Sequence, residues 1–136
     1  MANYKIEELE GIGPAYGEKL RAAGISTTDA LLKAGTTKKQ RKALAEATGL
    51  EEARLLKWIN MTDLFRIKGV GSEYAELLEA AGVDTVPELA QRKPENLLAK
   101  MEEVNAAKNL VRRTPVLKNV ESWVAQAKEL PRVIEY

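Results

Sequence analysis

Two short stretches of this 136-residue chain are arranged for holding a ligand rather than for making or breaking bonds: Gly11-Ile12-Gly13 and Gly69-Val70-Gly71. Glycine tolerates positive φ and lets the backbone approach a partner closely. Where such a turn opens into a helix, exposed N–H groups and the positive end of the helix dipole attract anions. Pro14 cannot donate. Ile12 and Val70 are apolar and are expected to plug inward. Gly17, matched by Ala75 in the second stretch, costs about 1 kcal/mol as a mid-helix glycine, so a close helix crossing is expected there.

A second set of candidates is cationic. Lys38, Lys39, Arg41 and Lys42 form the strongest basic run, and Lys38, Arg41 and Lys42 share a helical face. That face reads either as a patch for a phosphate backbone or as an ordinary solvated surface. Lys19 and Arg21 follow the first glycine turn, and Arg66 and Lys68 precede the second. The acidic residues oppose them: Glu7, Glu8 and Glu10 stand before the first turn, and Glu73, Glu76 and Glu79 follow the second, where they repel phosphate. Neutralising three or four phosphates makes log affinity fall by about three per tenfold rise in salt, so any DNA binding is expected to be weak.

The sequence has no cysteine and no histidine. The usual ligands of zinc, haem and iron–sulfur clusters are therefore missing, as are thiol nucleophiles and imidazole bases. No catalytic residue, metal, small-molecule substrate or resident cofactor is expected, and an enzyme is not the expected class. Twenty-one basic against 20 acidic side chains give a net charge of +1, too balanced for whole-molecule attraction to decide a partner. No apolar run is long enough to span a membrane, and the acidic first ten residues lack a secretory core, so the expected location is cytoplasmic with no membrane partner.

Helices must position these candidates. Alanine and leucine supply 36 of 61 apolar residues against seven aromatics, which favours an all-α chain. Shifting the sequence by 58 positions aligns Leu9–Lys33 with Ile67–Gln91, with ten identities in 25 positions. A duplication is the simplest reading. Trp58 answers Trp123 in a second echo, and the later copy carries extra residues around Ala107 to Pro115. Thr37 with Gln40, Thr48 with Glu51, and Thr85 with Glu88 have capping-box spacing. Pro14, Pro87, Pro94 and Pro115 suit first turns, and Gly24 and Gly82 suit helix stops. The expected units are 1–64 and 65–136, the second carrying the tail PRVIEY, packed as one compact domain of about nine or ten short helices. Trp58 and Trp123 are expected to be buried anchors.

The pattern apolar-x-Gly-apolar-Gly, a Tyr three residues on, then Leu, Ala-Ala-Gly, an apolar residue and Thr resembles the helix-hairpin-helix motif, here in two tandem copies. With the TTKKQRKAL segment and the LxxW helix, the chain resembles an uncharacterised bacterial family of small duplicated helix-hairpin-helix proteins. The resemblance implies that amides of the glycine turns, those near Gly11, Ile12, Gly13 and Ala15 and those near Gly69, Val70, Gly71 and Glu73, hold a DNA phosphate without reading sequence, often beside a bound monovalent cation. The alternative is an adaptor or homo-oligomer that keeps the scaffold and binds protein through surfaces such as the apolar tail.

Overall fold

The computed structural model describes residues 3–136, and in them the chain is all-helical: one 3₁₀ turn, eight α-helices and no strand. The chain divides into two compact units, Asn3–Asp63 with Val133–Tyr136, and Leu64–Arg132. The tail, placed with the second unit in the sequence reading, packs on the first.

In the first unit a 3₁₀ turn, Ile6–Glu8, leads into α1 (Gly13–Ala22), α2 (Thr28–Ala34), α3 (Lys38–Thr48) and α4 (Glu52–Leu64). Pro14 occupies the first turn of α1, and Gly24 (φ +88°) reverses the chain behind that helix. Thr27 accepts the Ala30 amide at 3.2 Å to start α2. Thr37 and Gln40 form the reciprocal capping box expected at α3. Thr48 departs from expectation. Its hydroxyl donates back to the Leu44 carbonyl (2.8 Å) and accepts the Leu50 amide (3.2 Å), so it closes α3 instead of opening α4. Ile6, Leu9, Leu20, Leu31, Leu55 and Ile59 fill the core. The tail adds Ile134, fully buried, and a main-chain bond from the Glu135 amide to the Thr36 carbonyl (2.8 Å).

The second unit contains α5 (Ser72–Ala80), α6 (Val86–Ala90), α7 (Pro94–Lys108) and α8 (Leu117–Glu129). Its core is built by packing α8 on α6 and α7, with α5 against α7. Gly82 (φ +97°) ends α5, and Thr85 accepts the Glu88 amide (3.1 Å) at the start of α6. The lengthened segment is the connection from α7 to α8. Asn109 turns into the left-handed region (φ 51°), and the Asn105 amide then pins both the N–H and the carbonyl of Val111 at 2.9 and 3.1 Å. Pro115 lies just ahead of the Val116 cap and not in the first turn of α8.

Candidate nucleic-acid interface

Each glycine turn is closed from within. Gly11 (φ +90°), Gly13 (φ +60°) and Gly69 (φ +96°) take backbone conformations that disfavour a side chain, whereas Gly71 (φ −103°) is extended. Ile12 and Val70 are buried as expected. Their amides, however, donate to the Leu9 and Ile67 carbonyls at 3.1 Å each, so these two candidate donors are spent inside the turns. The amides of Gly13 and Ala15 stand in the first turn of α1, where no intrahelical acceptor exists. They are the outward candidates of the first turn.

An aromatic pair backs each turn. Tyr16 meets Trp58 at 5.4 Å between ring centroids, and Tyr74 meets Trp123 at 5.3 Å. Both indoles are buried, and each lies against the first glycine of its turn. A Cβ added to Gly11 would reach Trp58 Nε1 at 3.4 Å, and one added to Gly69 would reach Trp123 Nε1 at 2.9 Å. Glycine is thus required there by φ at both turns, and at Gly69 by space as well.

The two turns differ in what surrounds them. Arg54, on α4, places its guanidinium 4.8 Å from the Tyr16 ring centroid and donates to the Tyr16 hydroxyl at 2.5 Å. A cation therefore stands over a residue in the opening turns of α1. Sequence reasoning did not select Arg54; its only signal is a position four residues before Trp58, one helical turn away. In the second unit Tyr74 donates its hydroxyl to the Arg113 carbonyl (3.1 Å). There the Gln126 carboxamide clamps the backbone of Lys68, accepting its N–H (2.8 Å) and donating to its carbonyl (3.2 Å). The Lys68 side chain is exposed, as is Glu73 on α5.

The remaining basic candidates separate into exposed and committed groups. Lys19 is exposed on α1. Arg21 is tied to Glu7 through two bonds of 2.6 and 2.7 Å. The Arg21 hydrogen bond holds the Glu7 carboxyl down to about 2. The Glu7 side chain also explains Gly17: a Cβ there would run into Glu7 atoms at 2.6–2.9 Å, so the small residue admits a carboxylate and not a crossing helix. On α3, Lys38, Lys39 and Lys42 are exposed, but Arg41 is 4% exposed. Its guanidinium donates to the carbonyls of Gly35 (2.8 Å), Thr36 (3.2 Å) and Glu135 (2.6 Å). Arg41 is consequently a tie between the α2–α3 connection and the tail, whereas the shared-face reading had it pointing outward with Lys38 and Lys42.

The residues Gly11-Ile12-Gly13 and Gly69-Val70-Gly71 carry no side chain that could ligate a cation. Among the described residues no cluster of three or more acidic side chains is placed to hold a metal ion. No helix among them is long and apolar enough to cross a membrane.

A sequence profile of one protein family, described as a domain of unknown function, matches residues 10–130. No curated protein matches the chain, and no solved structure does.

Proposed function

The chain belongs to that family, DUF4332, whose match spans most of its length, and we propose that it is a non-catalytic binding protein that holds the DNA backbone without reading sequence. The finer architecture in this reading is a tandem pair of helix-hairpin-helix units, supported by the two glycine turns backed by equivalent Tyr–Trp pairs. The observation that carries the proposal is the surroundings of the first turn. Gly13 and Ala15 present first-turn amides of α1, and the Arg54 guanidinium stands over Tyr16 beside them. The helix dipole and the guanidinium favour the same anion. Exposed Lys38, Lys39 and Lys42 on α3 supply further charge in the same unit. Base edges are not contacted in this reading, because phosphate contacts position a duplex and carry no sequence information.

Fluorescence anisotropy of a labelled duplex, started near ~20 mM salt where counterion release most favours association, tests the proposal. Binding should be equal on unrelated sequences. Replacing Lys38, Lys39 and Lys42 together with glutamine should flatten the salt dependence by about three in log–log slope. Absence of binding at the lowest salt rejects the reading.

A second reading, a protein-binding adaptor, is favoured by one surface. Val116 and Leu117 are exposed apolar neighbours at the start of α8 (59% and 37%), in the unit whose glycine turn carries Glu73. Exposed apolar residues side by side suit a protein partner better than a phosphate backbone.

A further inference from the structure

The first unit contains a recess of about 260 Å³ lined by Lys38 and Arg41 of α3, by Glu52, Ala53 and Leu56 of α4, and by Tyr136 of the tail. Three features distinguish it from an ordinary surface dent. The first is a fixed aromatic wall. Tyr136 is 46% exposed, yet its hydroxyl is held by the Asn60 side chain at 2.6 Å, and the backbone before it is anchored by Arg41 and Thr36. A ring held in place loses little freedom when something stacks on it. The second is charge: Lys38 is an exposed cation at the rim, and Arg41 contributes a second positive charge from the buried side. The third is the apolar lining contributed by Ala53 and Leu56. Planar rings, cations and a short apolar lining are the components with which proteins grip unpaired nucleotides, by stacking on the base and attracting its phosphate. The volume is just below the roughly 300 Å³ at which sites for drug-sized ligands begin, so it suits a single planar group and not an extended ligand.

We propose that this recess receives one nucleotide unit of single-stranded nucleic acid, the base stacking on Tyr136 and the phosphate facing Lys38. The site rests on the nucleic-acid reading above but is separate from the glycine turn, and it gives the chain a hold on strand ends or unpaired segments as well as on duplex. Glu52 in the same lining repels phosphate and tempers the attraction of Lys38 and Arg41. The ring is sequence-tolerant because every base offers a π face.

The test compares duplex DNA, an unlabelled oligo-dT strand and thymidine monophosphate as ligands of the full chain, with Tyr136 replaced by alanine or by phenylalanine. Oligo-dT affinity should fall about tenfold in Y136A. Y136F, which keeps the ring and loses the Asn60 bond, should fall less than threefold, and duplex affinity should not change in either variant. Circular dichroism melts of both variants identify any loss of fold. If Y136A loses its fold, Y136F and competition by thymidine monophosphate against oligo-dT on the intact protein decide. Competition by the mononucleotide at millimolar concentration assigns the source to free nucleotides, and competition by the oligomer alone assigns it to strands. Wild-type protein that binds duplex but not oligo-dT, or equal oligo-dT affinity in wild type and folded Y136A, overturns this proposal alone. Wild-type protein that binds no nucleic acid overturns the parent reading too.

Discussion

Replacing Arg41 with methionine separates a structural cation from a DNA-facing one. In the first case the change removes three charge-assisted hydrogen bonds, to Gly35, Thr36 and Glu135. Their consequences differ. The Thr36 carbonyl keeps the Glu135 amide as a partner. Glu135 is an exposed residue, where water replaces the guanidinium, but Gly35 is buried and its carbonyl is left without compensation. Hydrogen bonds to charged groups contribute ~1.5–3 kcal/mol each, and the lower end applied to three gives about 4.5 kcal/mol. Methionine relieves the desolvation of a buried charge, which returns part of that sum and leaves about 3 kcal/mol. For units of this size the loss corresponds to a fall of roughly 12–24 °C in Tm. Thermal melts followed by circular dichroism measure it, with Lys42→Met on the same helix as the exposed control. Duplex affinity of folded R41M should equal that of wild type. A Tm within about 2 °C of wild type, together with weakened duplex binding, would refute the assignment of Arg41 to the fold.

Three further perturbations follow from contacts described above. Gly35→Ala would drive a methyl group onto Ile59 Cδ1 in the core, and overpacking of this kind should cost about 1–3 kcal/mol by urea denaturation; an unchanged midpoint would show that the core yields freely. The Glu7 carboxyl, held at about 2 by the Arg21 hydrogen bond, should return towards its ordinary 4.5 in Arg21→Gln, as followed by carboxyl chemical shifts. Because the folded value is the depressed one, this pair stabilises the fold above the ordinary value, and its contribution disappears as pH falls through about 2. Glu88 behaves oppositely: burial first, and the Asp84 charge second, raise its pKa, and one of its oxygens is buried with no hydrogen-bond partner among the described residues. Its folded form binds a proton more readily than the unfolded chain, so stability falls as pH rises through its range. Glu88→Gln should therefore raise Tm at neutral pH and lose that advantage on acidification, and a Tm difference independent of pH would contradict the assignment.

Much of the local architecture was legible because it depends on neighbours in sequence. The Thr37–Gln40 box, the stops at Gly24 and Gly82, and the inward Ile12 and Val70 are all set within a few residues. Thr48 misled because capping-box spacing is also met by a threonine that bonds back into the helix it ends. Arg41 was illegible for a different reason. Helical spacing places it beside Lys38 and Lys42, but the carbonyl that completes its coordination comes from Glu135, 94 residues away. Arg54 and Gln126 belong to no motif; each acquires its role at a turn only when α4 or α8 is brought against it. The spacing of Gly17 indicates a close approach, but its partner, the Glu7 carboxylate held by Arg21, is set by how the 3₁₀ turn folds back on α1.

The attachment of the tail to the first unit also orders events during biosynthesis. Residues 3–63 emerge from the ribosome before the tail segment that completes them, and Arg41 waits for its third acceptor until all of the intervening 64–132 segment has been made. Contacts between residues so distant in sequence form late, since closing a long loop must precede the bonds that reward it. The first unit should consequently gain its full protease resistance only once the tail from Val133 onward has been released, although most of that unit is synthesised first.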